Sequence, residues 1–507
     1  MPPSADLLRH KTPDVLAAVD LGSNSFHLIV ARNVGGQLVV IDKLREMVRL
    51  GQGVDERGQL DKVAARRAIA CLERFGQRLA ELHAGQVRAV GTNALRQAHG
   101  KAGFLKRARE ALGHPIEIVS GREEARLIYA GVAHTSRPEP GRRLVVDIGG
   151  GSTEMIIGEG TEPLELESLR LGCVSMSAAA FPEGRMTARR FAAARIIAQQ
   201  ELEPVQERYR ALGWDSALGS AGTARAVFEA LREIQPRTTA ITPEGCEALI
   251  ATLCRVGDIR KLSLASVSEE RRAVLPGGLA VLVEVLRQLG IREMRVADGG
   301  LREGLLYDMV GRLTDEDARE RTVRSMQLRY HVDRPHAGRV EETALELLSG
   351  IRTASDLEDP QAAQALRWAA RLHEIGLDVA HSGYHRHGAY LLDNADMPGF
   401  AREEQHLLAR LVGAHRRKLS VEGLEKLIPP WNERALWLIV VLRLAVVLHR
   451  GRNANELPSP RLQRRGRSLA LGFSARWLRR HPLTQADLQQ EAEHLEAQGL
   501  RLRVVTD

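Results

Sequence analysis

Cysteine, aromatic side chains and long apolar runs are all scarce in this 507-residue chain. The four cysteines (Cys71, Cys173, Cys246 and Cys254) form no CxxC pair and keep no regular spacing. That excludes a disulfide framework and a cysteine-built zinc site, and it fits a reducing cytoplasm. Aromatic residues make up only 4% of the chain. Proteins that hold single-stranded nucleic acid stack bases on several rings, so nucleic acid is not the expected partner. The most apolar stretch, ALWLIVVLRLAVVL from Ala435 to Leu448, carries Arg443 and falls short of the roughly 20 residues that a membrane-spanning helix needs. It reads as a buried helix. The opening MPPSADLLRHKTPD has no apolar centre of the signal-peptide kind, so no secretory leader is expected in it.

What the chain has in excess is positive charge. A net charge of +8 and a pI near 9.5 favour a polyanionic partner, a description that covers nucleic acid, a membrane surface at which the protein docks peripherally, and polyphosphate. Arginines crowd the last third: Arg416, Arg417 and Lys418, then Arg450 and Arg452, then Arg461, Arg464, Arg465 and Arg467, then Arg476, Arg479 and Arg480. A polymer with one charge per phosphate gains from such a track, and inorganic polyphosphate is the partner this favours.

Length predicts about three or four domains. VLAAVDLGSNSFHLIVARNVGGQLVVIDKL reads as three successive strands, over 15–19, 26–31 and 38–44, the last two joined by a Gly35–Gly36 turn. A helical pattern follows from Asp61 to His83. About 127 positions after the first, RRLVVDIGGGSTEMIIGEG repeats the unit of apolar strand, Asp, glycine turn and apolar strand. A repeat at that distance predicts two related domains. From about Leu313 helical periodicity takes over, and LALGF and LRLRVV near the end read as strands. The predicted boundaries are 1–130 with 302–313 packing back on it, 131–312, 313–455 and a small α+β domain over 456–507.

Two motifs carry chemistry. In Asp147–Ile148–Gly149–Gly150–Gly151–Ser152–Thr153–Glu154 a carboxylate at a strand end is followed by glycines, whose backbone N–H groups approach a phosphate without a Cβ in the way. Asp147 and Glu154 are hard oxygen donors suited to a divalent cation. Asp20–Leu21–Gly22–Ser23–Asn24–Ser25 repeats the geometry, with Asp20 as a further candidate ligand.

These residues, together with SNSFHL, GTNALR, SGREEARLIYAGV and DGGLREG, resemble the exopolyphosphatase / guanosine pentaphosphate phosphatase family, within the superfamily of actin, sugar kinases and heat-shock ATPases. The resemblance implies an α/β fold of two ribonuclease-H-like domains with the site between them. It implies that Glu124 activates water and that Asp147 and Glu154 position Mg2+ or the attacking water. Ser23, Asn24, Gly149, Gly150 and Ser152 would cradle the terminal phosphate, with Arg96 as a charge clamp. A homodimer is also implied. With the basic C-terminal third, the expectation is a processive exopolyphosphatase. The alternatives are hydrolysis of the 5′ γ-phosphate of the guanosine alarmone pppGpp, with pppGpp or ppGpp as partner, and a nucleotide-binding regulator without turnover.

The helical part is rich in histidine (His331, His373 beside Glu374, His381, His385, His387 and His415) and resembles the HD phosphohydrolase domain. A His–Glu pair stands where that fold has His–Asp, so structural or substrate-guiding roles are expected for these histidines in preference to a second catalytic centre.

Overall fold

A computed structural model describes residues 14–34, 37–55, 57–137, 139–313, 317–452 and 457–506. The predicted Gly35–Gly36 turn lies outside them. The chain divides into two compact units, Met1–Asp317 and Ala318–Asp507.

The first unit contains two lobes with one topology. In lobe I, strands β1 (Val15–Leu21), β2 (Phe26–Val34), β3 (Gln37–Glu46), β4 (Val87–Gly91) and β5 (Ile116–Ile118) form a sheet of order β3-β2-β1-β4-β5. In lobe II, β6 (Arg142–Ile148), β7 (Thr153–Glu159), β8 (Glu162–Leu169), β9 (Ser216–Ser220) and β10 (Arg295–Val296) form the order β8-β7-β6-β9-β10. Each sheet has three antiparallel strands followed by two parallel ones. The sequence repeat is thus a repeat of architecture. Strand β8, which the sequence reading passed over, alternates Glu with apolar residues and completes the second meander.

Helices cover both sheets. On lobe I these are α1 (Lys62–Leu79), the short α2 (Asn93–Gln97) and α3 (Ala102–Leu112), whereas α4 (Gly121–Thr135) packs Ala125, Ile128, Tyr129 and Val132 against Val145, Ile156 and Leu166 of the second sheet. Helix α1 starts where the Asp61 side chain accepts from the Ala64 N–H (3.0 Å), and it buries Ala64, Ala68, Cys71, Leu72, Phe75 and Leu79 along one face. This is the helical spacing of an amphipathic segment with a capped N-terminus. Lobe II carries α5 (Cys173–Ala180), α6 (Ala188–Leu212), α7 (Ala221–Ile234), α8 (Pro243–Val256), the short α9 (Glu269–Arg272) and α10 (Leu275–Leu289). Helix α10 is buried nearly all round, Glu284 included. Arg195 (2.6 Å) and Gln199 (2.8 Å) satisfy that carboxylate, as a charge without water requires.

After β10 the chain returns to lobe I. Helix α11 (Leu301–Leu313) buries Leu305, Leu306 and Met309 against Leu16, Ala18 and Ile29 of the first sheet and Leu127 of α4. The approach of α11 to α4 depends on glycine: a Cβ on Gly304 would lie 1.8 Å from the Leu127 carbonyl oxygen, and one on Gly131 would lie 2.0 Å from that of Gly300. A buried ion cluster closes the same joint, with Asp308 of α11 bonded to Arg88 (2.5 Å) and Arg126 (2.5 Å), and Arg126 also bonded to Glu123.

The second unit packs α12 (Ala318–Arg329), α13 (Arg334–Ile351), α14 (Pro360–Leu372), α15 (Tyr384–Asn394), α16 (Arg402–Ala414) and α17 (Trp431–Leu448) with α18 (Ala475–Arg480), α19 (Pro482–Glu496) and a sheet of order β11-β12-β13. Strands β11 (Arg461–Arg465), β12 (Ser468–Phe473) and β13 (Arg501–Thr506) share one core with the helices. Helix α17 is the apolar run noted in the sequence. Its fully buried Arg443 is held by Glu491 (2.6 and 2.9 Å) and by the carbonyls of Ala414 and Arg417. Among the described residues no helix is long and apolar enough to cross a membrane.

Candidate active site

The two Asp–Gly turns face each other in the first unit. Each links the first two strands of its sheet, so Asp20 sits at the end of β1 and Asp147 at the end of β6. The tip of the second turn lies against lobe I: a Cβ on Gly150 would come within 3.2 Å of Ser23 Cβ, and one on Gly151 within 2.1 Å of Asn93 Nδ2. Gly172 touches the same turn from behind, its virtual Cβ 2.3 Å from Gly150 O. The Gly149 N–H donates to Ser152 O (2.9 Å), which closes the turn.

Around the turns is a cavity of about 590 Å³. Asp20, Ser23, Asn24, Asp147, Gly149, Gly150, Ser152 and Glu124 all line it. The other two residues expected at the site do not border the cavity. Arg96 donates from Nη1 to Glu124 Oε2 (2.6 Å) and to Val119 O (3.1 Å), so it holds the glutamate. Glu154 is 1% exposed and accepts from Ser168 Oγ (2.8 Å). Glu303, a further acidic residue of the DGGLREG segment, accepts from the Gly300 N–H at the start of α11 (3.1 Å). Of the adjacent pair Glu123 and Glu124, the first is spent on Arg126 and only the second faces the cavity.

Sequence reasoning missed the basic wall. Lys43, Arg45, Arg225, Arg271 and Arg302 line the same cavity, brought there from β3, α7, α9 and α11. Gly222 makes room for one of them, since a Cβ there would lie 2.1 Å from Arg271 Nη2. The reading also missed His27. In the strand registers Asp20 pairs with His27 as Asp147 pairs with Glu154, so aligning the two repeats would have singled it out. Its ring lies 2.8 Å from Ser25 Oγ.

The acids crowd one another. Burial, reinforced by the charges of Glu124 and Asp147, pushes the Asp20 carboxyl up to about 8, with Arg302 opposing. Asp147 is pushed up to about 6, chiefly by burial, against the bond from Ser220. Glu154 is held well above the usual carboxylate range by burial and then by Glu124 and Asp147. His27 moves the other way, down to about 3, through burial first and then Arg302 and Arg45. Asp20 Oδ1 and Asn24 Nδ2 are buried without a hydrogen-bond partner. Such a set is poised for a ligand that brings both anionic oxygens and cationic charge.

An actin-like pair of lobes with facing phosphate turns, a clustered carboxylate set and a basic wall defines a phosphoanhydride hydrolase. Residues 29–313 match the Ppx/GppA phosphatase family, and residues 318–492 match domain III of the same family. The chain belongs to the Ppx/GppA phosphatase family. It is 39% identical over 496 residues to a protein of Aeromonas hydrophila, covering 98% of this chain and 99% of the relative. It is 41% identical over 477 residues to one of Vibrio vulnificus, covering 94% and 95%. Both relatives are named guanosine-5'-triphosphate,3'-diphosphate pyrophosphatase. Among solved structures, the Aquifex aeolicus PPX-GPPA enzyme matches with a TM-score of 0.50 at 27% identity, covering 58% of this chain and 98% of that one. An exopolyphosphatase from Cytophaga hutchinsonii matches in fold with a TM-score of 0.54 at 24% identity, covering 59% and 99%.

These relatives correct the expected substrate. The sequence reading put exopolyphosphatase first on the strength of the C-terminal arginines, whereas the full-length relatives carry the guanosine name. The physical reason lies in where those arginines go. Arg464 lies over the Trp437 ring (3.7 Å) and donates to Ala354 O. Arg467 donates to the carbonyls of Gly499 (3.0 Å) and Gln498 (2.6 Å). Arg450 pairs with Asp487, Arg452 with Glu374, and Arg416 lies over Tyr384. Arg464, Arg467, Arg450, Arg452 and Arg416 are thus spent on local contacts, and Arg465, Arg476, Arg479 and Arg480 are among the exposed remainder.

Proposed function

We propose that the chain hydrolyses the 5′-terminal phosphoanhydride of guanosine-5'-triphosphate,3'-diphosphate, releasing orthophosphate and leaving the tetraphosphate. The observation that carries this reading is the shared name of relatives 38–41% identical over 94–98% of the chain. A compact cavity lined by Lys43, Arg45, Arg225, Arg271 and Arg302 supports it, because it offers many cations to one short, highly charged head.

In this reading the terminal phosphate lies between the turns. The N–H groups of Gly149–Ser152 and the side chains of Ser23 and Asn24 meet its equatorial oxygens, and the arginines neutralise charge as it moves to the bridging oxygen. Glu124, oriented by Arg96, takes a proton from water as the water oxygen bonds to phosphorus. The bond from phosphorus to the bridging oxygen breaks, and the electron pair leaves on the β-phosphate. Glu154 is enclosed and acts by fixing the turn and the local charge. Asp20 and Asp147 suit a divalent cation such as Mg2+, which takes one or two carboxylates and fills its remaining positions with water and substrate phosphate. The unpartnered Asp20 Oδ1 and the raised carboxyls agree with that donor set. Once bound, the ion would neutralise the β- and γ-phosphate oxygens.

The test compares phosphate release from pppGpp, GTP and long-chain polyphosphate, with and without Mg2+, for wild type and Glu124→Gln. We expect kcat/KM to be highest for pppGpp. A preference for polyphosphate by an order of magnitude or more would reject the assignment.

A further inference from the structure

The cleft cavity reaches beyond the phosphate turns along α7. That helix starts at Ala221, directly after Ser220, which stands opposite Asp147 in the strand register. Gly222, Arg225, Ala226 and Glu229 all line the cavity, at the spacing of one helix face. At 1.5 Å per residue, Glu229 lies about 10 Å further along the axis than Gly222. A second wall runs beside this face, made by α9 and the loop that precedes it. At one end Arg271 lies against Gly222, whose virtual Cβ would sit 2.1 Å from the guanidinium. At the other end Glu233, one turn past Glu229, accepts from the N–H groups of Ala265 (3.0 Å) and Ser266 (2.8 Å) and from Ser266 Oγ (2.6 Å). Those three bonds fix the loop, and Ser266, Val267 and Ser268 line the cavity between the two anchors.

Glu229 is half-buried in this channel. Among the described residues it has no hydrogen-bond or ion-pair partner. Arg225 stands one turn before it, a spacing at which opposite charges commonly pair. The Arg225 guanidinium turns instead to Ala297 O (3.3 Å) and Asp298 (3.9 Å). A free carboxylate is out of place in a site for a polyanion, since it repels each phosphate that approaches. The other lining carboxylates have tasks: Asp20, Glu124 and Asp147 surround the turns, and Asp298 faces Arg225. Glu229 matches a part of the ligand that brings N–H donors in place of oxygens.

We propose that Glu229 selects the base of the substrate, its two oxygens accepting the ring N1–H and the exocyclic amino N–H of guanine. The proposal rests on the guanosine reading given above. Neutral guanine presents those two donors side by side, and a carboxylate accepts both at once. Adenine offers one amino group beside a ring nitrogen that carries a lone pair, which a carboxylate repels. The order of groups along the channel is the order along a nucleotide. The terminal phosphate lies at the turns, Arg271 and Arg225 flank the phosphates behind it, and the base reaches Glu229 with Ala226 and Val267 as apolar walls.

The test is phosphate release by the full chain from pppGpp and from its adenine counterpart pppApp. Wild type is expected to favour pppGpp in kcat/KM. Glu229→Ala is expected to shrink that preference about 10- to 100-fold, the worth of a bidentate contact to a base, with the loss falling on KM for pppGpp more than on kcat. Glu229→Gln keeps the shape, replaces one accepting oxygen by a donor, and shrinks the preference as well. An unchanged preference in the two folded variants overturns the proposal, and so does a wild type that does not distinguish the bases. Long-chain polyphosphate, assayed alongside, separates this from the guanosine reading. A wild type that favours the polymer rejects that reading, while the base preference and its loss in the variants are still read from the two nucleotides.

Discussion

Asp20→Asn replaces a carboxyl that the cleft keeps protonated with a neutral group of the same shape. In the unfolded chain this carboxyl titrates near 3.8, and in the folded protein it titrates near 8. Between those values the native state holds a proton that the unfolded state has lost, so stability falls as pH rises through the window. Below about pH 4 both forms are neutral and the penalty is absent. Between pH 5 and pH 8 the wild type loses about 4 kcal/mol from this group if the whole shift acts on folding. The cavity is open to solvent and Asp20 is only half-buried, which reduces the figure to about 2 kcal/mol. Asparagine does not titrate, so the variant should gain about 2 kcal/mol on the wild type between pH 5 and pH 8. For a unit of this size that is about 4 °C in the midpoint of its transition. Thermal unfolding followed at both pH values checks this, with phosphate release measured in parallel and expected to fall steeply. A stability gap that stays constant, or shrinks, from pH 5 to pH 8 would refute the electrostatic account of the cleft.

Other perturbations test other parts. Glu124→Gln should lower kcat at least about 100-fold while equilibrium binding of substrate survives, and a loss of binding with kcat intact would remove Glu124 from the role of base. The activity profile should fall on the acid side near pH 6, where Asp147 protonates. His27, held down to about 3, should contribute no step near 6.5, so His27→Gln keeps the acid limb and Asp147→Asn removes it. Gly304→Ala puts a methyl 1.8 Å from a backbone oxygen of α4 and should cost about 3 kcal/mol; a chemical denaturation midpoint close to wild type would contradict the close packing of α11. Glu491→Ala strands the buried Arg443 guanidinium, for which about 3–5 kcal/mol is expected from denaturant titration of the second unit.

The site was legible in the sequence where chemistry is local. An Asp at the end of an apolar strand, then a glycine turn, then another strand is a pattern carried by consecutive residues, and its repetition announced two lobes. The basic wall was not legible, because Arg45, Arg225 and Arg271 come from separate strands and helices and their convergence has no sequence signature, and although Arg302 stands in DGGLREG, nothing in that motif says which way it points. Helix α11 was expected back on lobe I, but its own letters, LREGLLYDMVGRL, do not name Leu16, Ala18 and Ile29 as the residues it covers. Strand β11 was hidden because RLQRR reads as charge before it reads as a strand. His336 was overlooked beside its more conspicuous neighbours, since buried histidines gathered from the ends of separate helices share no sequence period. The substrate was read from charge count, and charge count does not record which arginines already have partners.

The return of α11 to the first sheet has a consequence for how the protein is made. Residues 14–135 contain every strand of lobe I, yet Leu16, Ala18 and Ile29 stay uncovered until Leu305, Leu306 and Met309 arrive. Roughly 170 residues separate the end of α4 from the start of α11, which at about 5–20 residues per second is about 10–30 s of translation. For that interval the nascent chain carries a greasy sheet face with no partner of its own. Lobe I begins first and is finished last, after the whole of lobe II has left the ribosome.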